Sequence, residues 1–98
     1  MNIKQKRLQN GETFITSETG NSMVPLIYSR QEHKLAPVKW QECSKGDIVF
    51  CKVHGKYYTH LVKSVDNKKG LQIGNNKGDI NGWTKQVFGK VIEVLPRK

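Results

Sequence analysis

What most constrains this chain is the pattern from Ile48 to Leu95. There, short apolar and β-branched runs alternate with Gly, Asn and Asp turns, and no sustained helical period occurs. Ile48–Val53 reads as one strand and Lys56–Val65 as its partner. His54-Gly55 joins them as a two-residue hairpin, with glycine available for a positive φ. Asp66–Gly70 is a polar loop, Leu71–Ile73 a short strand, and Gly74–Gly82 a long turn-rich loop. Gln86–Leu95 is the last strand, and Gly89 in its middle predicts a bulge or a close backbone approach. Short strands at this spacing predict an all-β fold, a small and partly coiled β-barrel or sandwich.

The first half is less regular. Residues 1 to 11 read as a basic, flexible arm ending at the turn dipeptide Asn10-Gly11. Glu12–Thr16 is rich in β-formers and predicts a short strand. Leu26–Ser29 continues as a strand after Pro25, and Arg30–Lys45 is an irregular connection that touches the core through Val38 and Trp40. One domain over 12–98 accounts for the rest of the 98 residues, enough for a modest core without staples.

The charge bears on partners. Seventeen Lys and Arg against eight Asp and Glu leave a net +9, which favours an acidic protein or nucleic acid as a partner. Aromatic residues interleaved with the lysines (Trp40, Tyr57, Tyr58, Trp83, Phe88) suit single-stranded nucleic acid, although the same residues serve equally to fill a core. Cys43 and Cys51 form neither a disulfide framework nor a zinc site, and are expected as reduced thiols. No apolar stretch follows the basic N-terminus, and no run of about 20 apolar residues occurs, so no transmembrane anchor and a cytoplasmic location are expected. Gly74–Asp79 lacks the Gly-Lys-Ser/Thr ending of a phosphate-binding loop. No cofactor and no metal are expected.

Two residues stand out chemically. Ser22 lies between Gly20 and Pro25 in Gly20-Asn21-Ser22-Met23-Val24-Pro25-Leu26. A serine in such a turn is ordinarily a loop residue, and becomes a nucleophile only if a base takes its proton. His60 is the best candidate for that base: it sits within a strand, on the face it shares with Tyr58 and Val62. His33 and His54 are expected to be solvated. An acid that orients His60 is sought among Asp47, Asp66 and Asp79, of which Asp79 lies in the longest loop. The Ser22 amide, with the Asn21 side chain, is the natural oxyanion site, since Pro25 has no N–H.

The order of these pieces resembles the signal peptidase I and SOS-repressor peptidase superfamily. Gly20–Pro25 looks like the Ser-Met-x-Pro box, and Lys45-Gly46-Asp47-Ile48-Val49 resembles the Gly-Asp-Ile-Val strand start after it. Thr59-His60-Leu61-Val62 resembles the His-Arg-Val strand of the archaeal and endoplasmic-reticulum signal peptidases, which use a histidine base. Gly74-Asn75-Asn76 with Asp79 resembles their Gly-Asp-Asn…Asp segment, and Val87-Phe88-Gly89-Lys90-Val91 the closing strand. The resemblance covers about Gly20 to Val94. It implies peptide-bond hydrolysis of a peptide or protein substrate by Ser22 with His60 as base, Asp79 as the acid, and Asn21, Met23 and Pro25 as the box around the nucleophile.

The departures shape the expectation. Asn75 stands at the family's first acid position, and Leu61 replaces the arginine after the histidine. No Ala-Gly pair supplies a self-cleavage site, and no DNA-binding domain precedes the box. A soluble, minimal, phage-like peptidase is the first expectation. A non-catalytic basic module that holds nucleic acid or an acidic host protein on the same fold is the alternative.

Overall fold

The structure is a computed structural model that describes residues 2–97. It is mainly β. Seven strands form one antiparallel sheet: β1 (Phe14–Thr16), β2 (His33–Pro37), β3 (Ile48–Val53), β4 (Lys56–Asp66), β5 (Gly70–Gly74), β6 (Ile80–Thr84) and β7 (Val87–Val94). Their order across the sheet is β1-β2-β7-β3-β4-β5-β6. The sheet curls, so that edge strand β6 returns toward β3: the Thr84 hydroxyl donates to the Lys52 carbonyl at 2.6 Å.

The β3–β4 hairpin is as the sequence predicts. His54 and Gly55 both take positive φ (49° and 81°), the turn whose twist matches that of its strands. β3 and β4 supply much of the core, where Val49, Cys51, Val53 and Val62 pack with Leu71, Ile73 and Val87. Gly89 lies at the register shift between β3 and β7. A Cβ there would meet the tip of Leu8 at 2.8 Å and the Ala36 carbonyl at 3.0 Å.

The first half differs from the sequence reading in three places. The expected flexible arm is a helix, α1 (Ile3–Gln9), whose N-cap Asn2 side chain accepts from Gln5 N. Leu8 is buried with Phe14, Leu35 and Phe50, which ties the helix to the sheet. No helical period was legible, because this two-turn helix buries Leu8 alone and leaves Ile3 exposed. The connection 30–45 contains β2 and a short 3-10 helix, Trp40–Glu42. The inward positions of β2 are His33 and Leu35, and a histidine hides the alternation. Leu26–Ser29 is a turn rather than a strand, while Ile80–Thr84, read partly as loop, is a strand.

Candidate active site

Ser22 lies in the long connection between β1 and β2. The turn that holds it is fixed on both sides. Before it, Gly20 adopts φ +120° and its N–H donates to Ser29 Oγ at 3.1 Å. After it, the Met23 carbonyl accepts from Leu26 N (2.8 Å) and Ile27 N (3.1 Å), and the Val24–Pro25 peptide is cis. The Met23 and Ile27 side chains are buried against Leu61 of β4, the neighbour of His60. Met23 and Ile27 therefore anchor the turn onto the strand that carries His60.

The β5–β6 loop holds the same turn from the other side. Asn76 N donates to the Ser22 carbonyl at 2.9 Å, and Asn76 Nδ2 donates to the Val24 carbonyl at 3.0 Å. These two direct bonds tie the Ser22 turn to the β5–β6 loop.

Ser22 Oγ lies 3.0 Å from His60 Nε2, across 38 residues of sequence. His60 is buried, in register with Val49 of β3, and its ring packs against Tyr58 at 4.9 Å between centroids. Its other nitrogen, Nδ1, faces Asn81 Oδ1 at 2.7 Å. An amide oxygen only accepts, so Nδ1 carries the proton and Nε2 offers its lone pair to the serine hydroxyl. That is the tautomer a general base requires.

The acid expected at Asp79 is not the group on His60. The Asp79 carboxylate takes the Asn75 side-chain amide at 3.1 Å, and Asn75 Oδ1 accepts from Lys77 N and Asp79 N at 2.8 and 3.0 Å. Asn75 and Asp79 therefore fasten the loop to itself, and Asn81, two residues further on, orients the histidine. The other candidate acids serve turns and a surface ion pair: Asp47 accepts from Ser44 N and pairs with Lys90, and Asp66 accepts from Lys68 N and Lys69 N. Those two amides hold the exposed Asp66 carboxyl below its ordinary range.

The oxyanion expectation is compatible with the turn. Among the described residues, the Ser22 N–H has no acceptor within the chain, which leaves it available to a substrate. The Asn21 side chain is exposed beside it.

His33 corrects a second expectation. It is 1 % exposed rather than solvated, with Nδ1 at 3.2 Å from the Gln31 carbonyl. It lines the same cleft of about 200 Å³ as Ser22 and His60. The signal for it was the i, i+2 spacing of His33 and Leu35, which mark one face of a strand.

Cys43 and Cys51 are buried and unpaired with each other. Burial pushes the Cys51 thiol up to about 12 and the Cys43 thiol up to about 11, the latter with help from the Asp47 carboxylate. Both are poor nucleophiles. Among the described residues, no three His, Cys, Asp or Glu side chains converge as a metal site, and no helix is long and apolar enough to cross a membrane. No family model matches the chain, and no curated protein matches it.

Proposed function

We propose that this protein is a serine peptidase of the signal-peptidase and SOS-repressor type, working through Ser22, His60 and Asn81. The observation that carries the reading is the 3.0 Å contact between Ser22 Oγ and His60 Nε2, with Asn81 behind Nδ1. A buried histidine held in the base tautomer against a serine hydroxyl is the minimum apparatus for acyl transfer.

The chemistry follows from the atoms. His60 Nε2 takes the hydroxyl proton as Ser22 Oγ bonds to the peptide carbonyl carbon. The oxyanion that forms accepts from the Ser22 N–H. The imidazolium returns its proton to the amine nitrogen as the C–N bond breaks, leaving an ester on Ser22. Water, deprotonated by the same nitrogen, then hydrolyses the ester. Asn81 accepts from Nδ1–H throughout and keeps the ring oriented, but as a neutral amide it does little to offset the charge on the imidazolium.

The alternative of a nucleic-acid binder has less support. The rings of Trp40, Trp83 and Tyr57 already carry Lys85, Lys69 and Lys52 over them, at 5.5, 5.4 and 5.2 Å. Stacked bases would have to displace those ammonium groups.

The test is labelling with a fluorophosphonate probe, read by intact mass. Wild type should gain one adduct, with Ser22→Ala and His60→Ala unlabelled, and any peptide hydrolysis should fall at least about a thousandfold in either variant. Equal labelling of wild type and Ser22→Ala would refute the reading.

A further inference from the structure

The cleft beside Ser22 has a composition unlike the rest of the surface. The chain carries 17 Lys and Arg, yet none of them lines this cleft. All three tyrosines do (Tyr28, Tyr57 and Tyr58), and Glu18 is the one carboxylate among the lining residues.

The polar groups of the cleft are also unfinished. Among the described residues, just two buried side-chain polar atoms have no hydrogen-bond partner, His33 Nε2 and Thr59 Oγ1. Both residues line this cleft. His33 donates through Nδ1–H to the Gln31 carbonyl, so in the neutral ring Nε2 is an acceptor. It faces another acceptor, Glu18 Oε1, at 3.7 Å. Two acceptors at that separation do not bond to each other. They are matched by one N–H-bearing group that sits about 2.9 Å from each. Lys4 holds the other carboxylate oxygen, Glu18 Oε2, at 3.5 Å and so leaves Oε1 turned toward His33. Glu18 itself is more than a third exposed, so the rim can yield to an incoming side chain.

We infer that this cleft binds a basic side chain, lysine or arginine, of the peptide substrate, and that Glu18 and His33 select it. The inference rests on the peptidase reading for the word substrate, but the binding site stands on its own contacts. An ammonium or guanidinium supplies N–H donors to both Glu18 Oε1 and His33 Nε2, which stand 3.7 Å apart.

The experiment uses the full chain with Ser22→Ala, so that binding is read without hydrolysis. Fluorescent peptides from a positional-scanning series, differing at one residue (Lys, Arg, Gln, Glu or Ala), are titrated by anisotropy. At one position, Lys and Arg should bind about tenfold or more tighter than Ala, Gln or Glu. Adding Glu18→Gln should remove that preference, and Glu18→Arg should turn it toward Glu, a gain that a misfolded variant does not show. A preference for Ala, equal binding of Gln and Lys, or a Lys preference unchanged by Glu18→Gln would overturn the inference. The two readings fail separately. Probe labelling of Ser22 without a basic preference leaves a peptidase with a different subsite. A Glu18-dependent basic preference without labelling leaves the binding site and removes the peptidase.

Discussion

His60 Nδ1 stands 2.7 Å from Asn81 Oδ1, while the nearby Asp79 carboxylate is bonded to Asn75. The histidine is therefore oriented by a neutral amide. An amide offers an N–H as well as an oxygen, so it fixes the tautomer less firmly than a carboxylate does, and it stabilises the imidazolium less. Replacing Asn81 by Ala should lower kcat by roughly 10- to 100-fold, the cost of one hydrogen bond to a group that becomes charged. Asn81→Asp keeps the acceptor and adds a charge, and should raise kcat above wild type. Steady-state kinetics on a cleaved peptide check both. An Asn81→Ala enzyme as fast as wild type would remove Asn81 from the site.

Gly74 lies between Leu61 of β4 and Ile80 of β6 in the sheet register. A Cβ at this position would meet the Asp79 carbonyl at 2.5 Å, a backbone atom that cannot step aside cheaply. Gly74→Ala should displace the start of β6, and with it Asn81. We expect a stability loss of about 1–3 kcal/mol by denaturant titration, with a fall in activity at least as large as that of Asn81→Ala. Gly78, with nothing within 4 Å of its Cβ position, is the control for space alone, although its φ of +96° adds strain to any side chain.

The helix at the N-terminus is part of the folded unit. Leu8 is 2 % exposed and contributes to the cluster of Phe14, Leu35 and Phe50. Leu8→Ala should cost about 2–5 kcal/mol of stability, read from a urea melt. A cost below about 0.5 kcal/mol would mean that α1 is the loose arm its basic sequence suggests.

The two thiols report on burial and pH. Their folded values, raised by burial from 9.0 to about 11 and about 12, keep the protons on in the native state where an unfolded thiol loses them. Stability from this source is fully present below about pH 9 and is lost as the pH climbs through 11 to 12. Native protein at pH 8 should therefore react with a disulfide reagent far more slowly than urea-unfolded protein, which should release two equivalents. Rapid reaction of native protein at pH 8 would contradict the buried positions of Cys43 and Cys51.

Much of the strand pattern after Ile48 followed from the sequence by itself, because β3, β4 and β7 are long apolar runs bounded by turns. The two residues that meet at 3.0 Å were also legible: Ser22 through the box around it, His60 through its place on a strand face. Tertiary structure alone decided the rest. A single buried leucine cannot announce α1, since its burial depends on Gly89 and Phe50 from distant strands. His33 looked solvated because a polar residue reads as exposed until the opposing element is known. The choice of Asn81 over Asp79 turned on the register shift between β5 and β6 at Gly74. Ile73 pairs with Gly82 and Gly74 with Ile80, so Asn81 is the extra residue of a bulge while Asp79 stays in the loop before the strand, and a linear sequence does not mark which residue a bulge leaves out of the pairing.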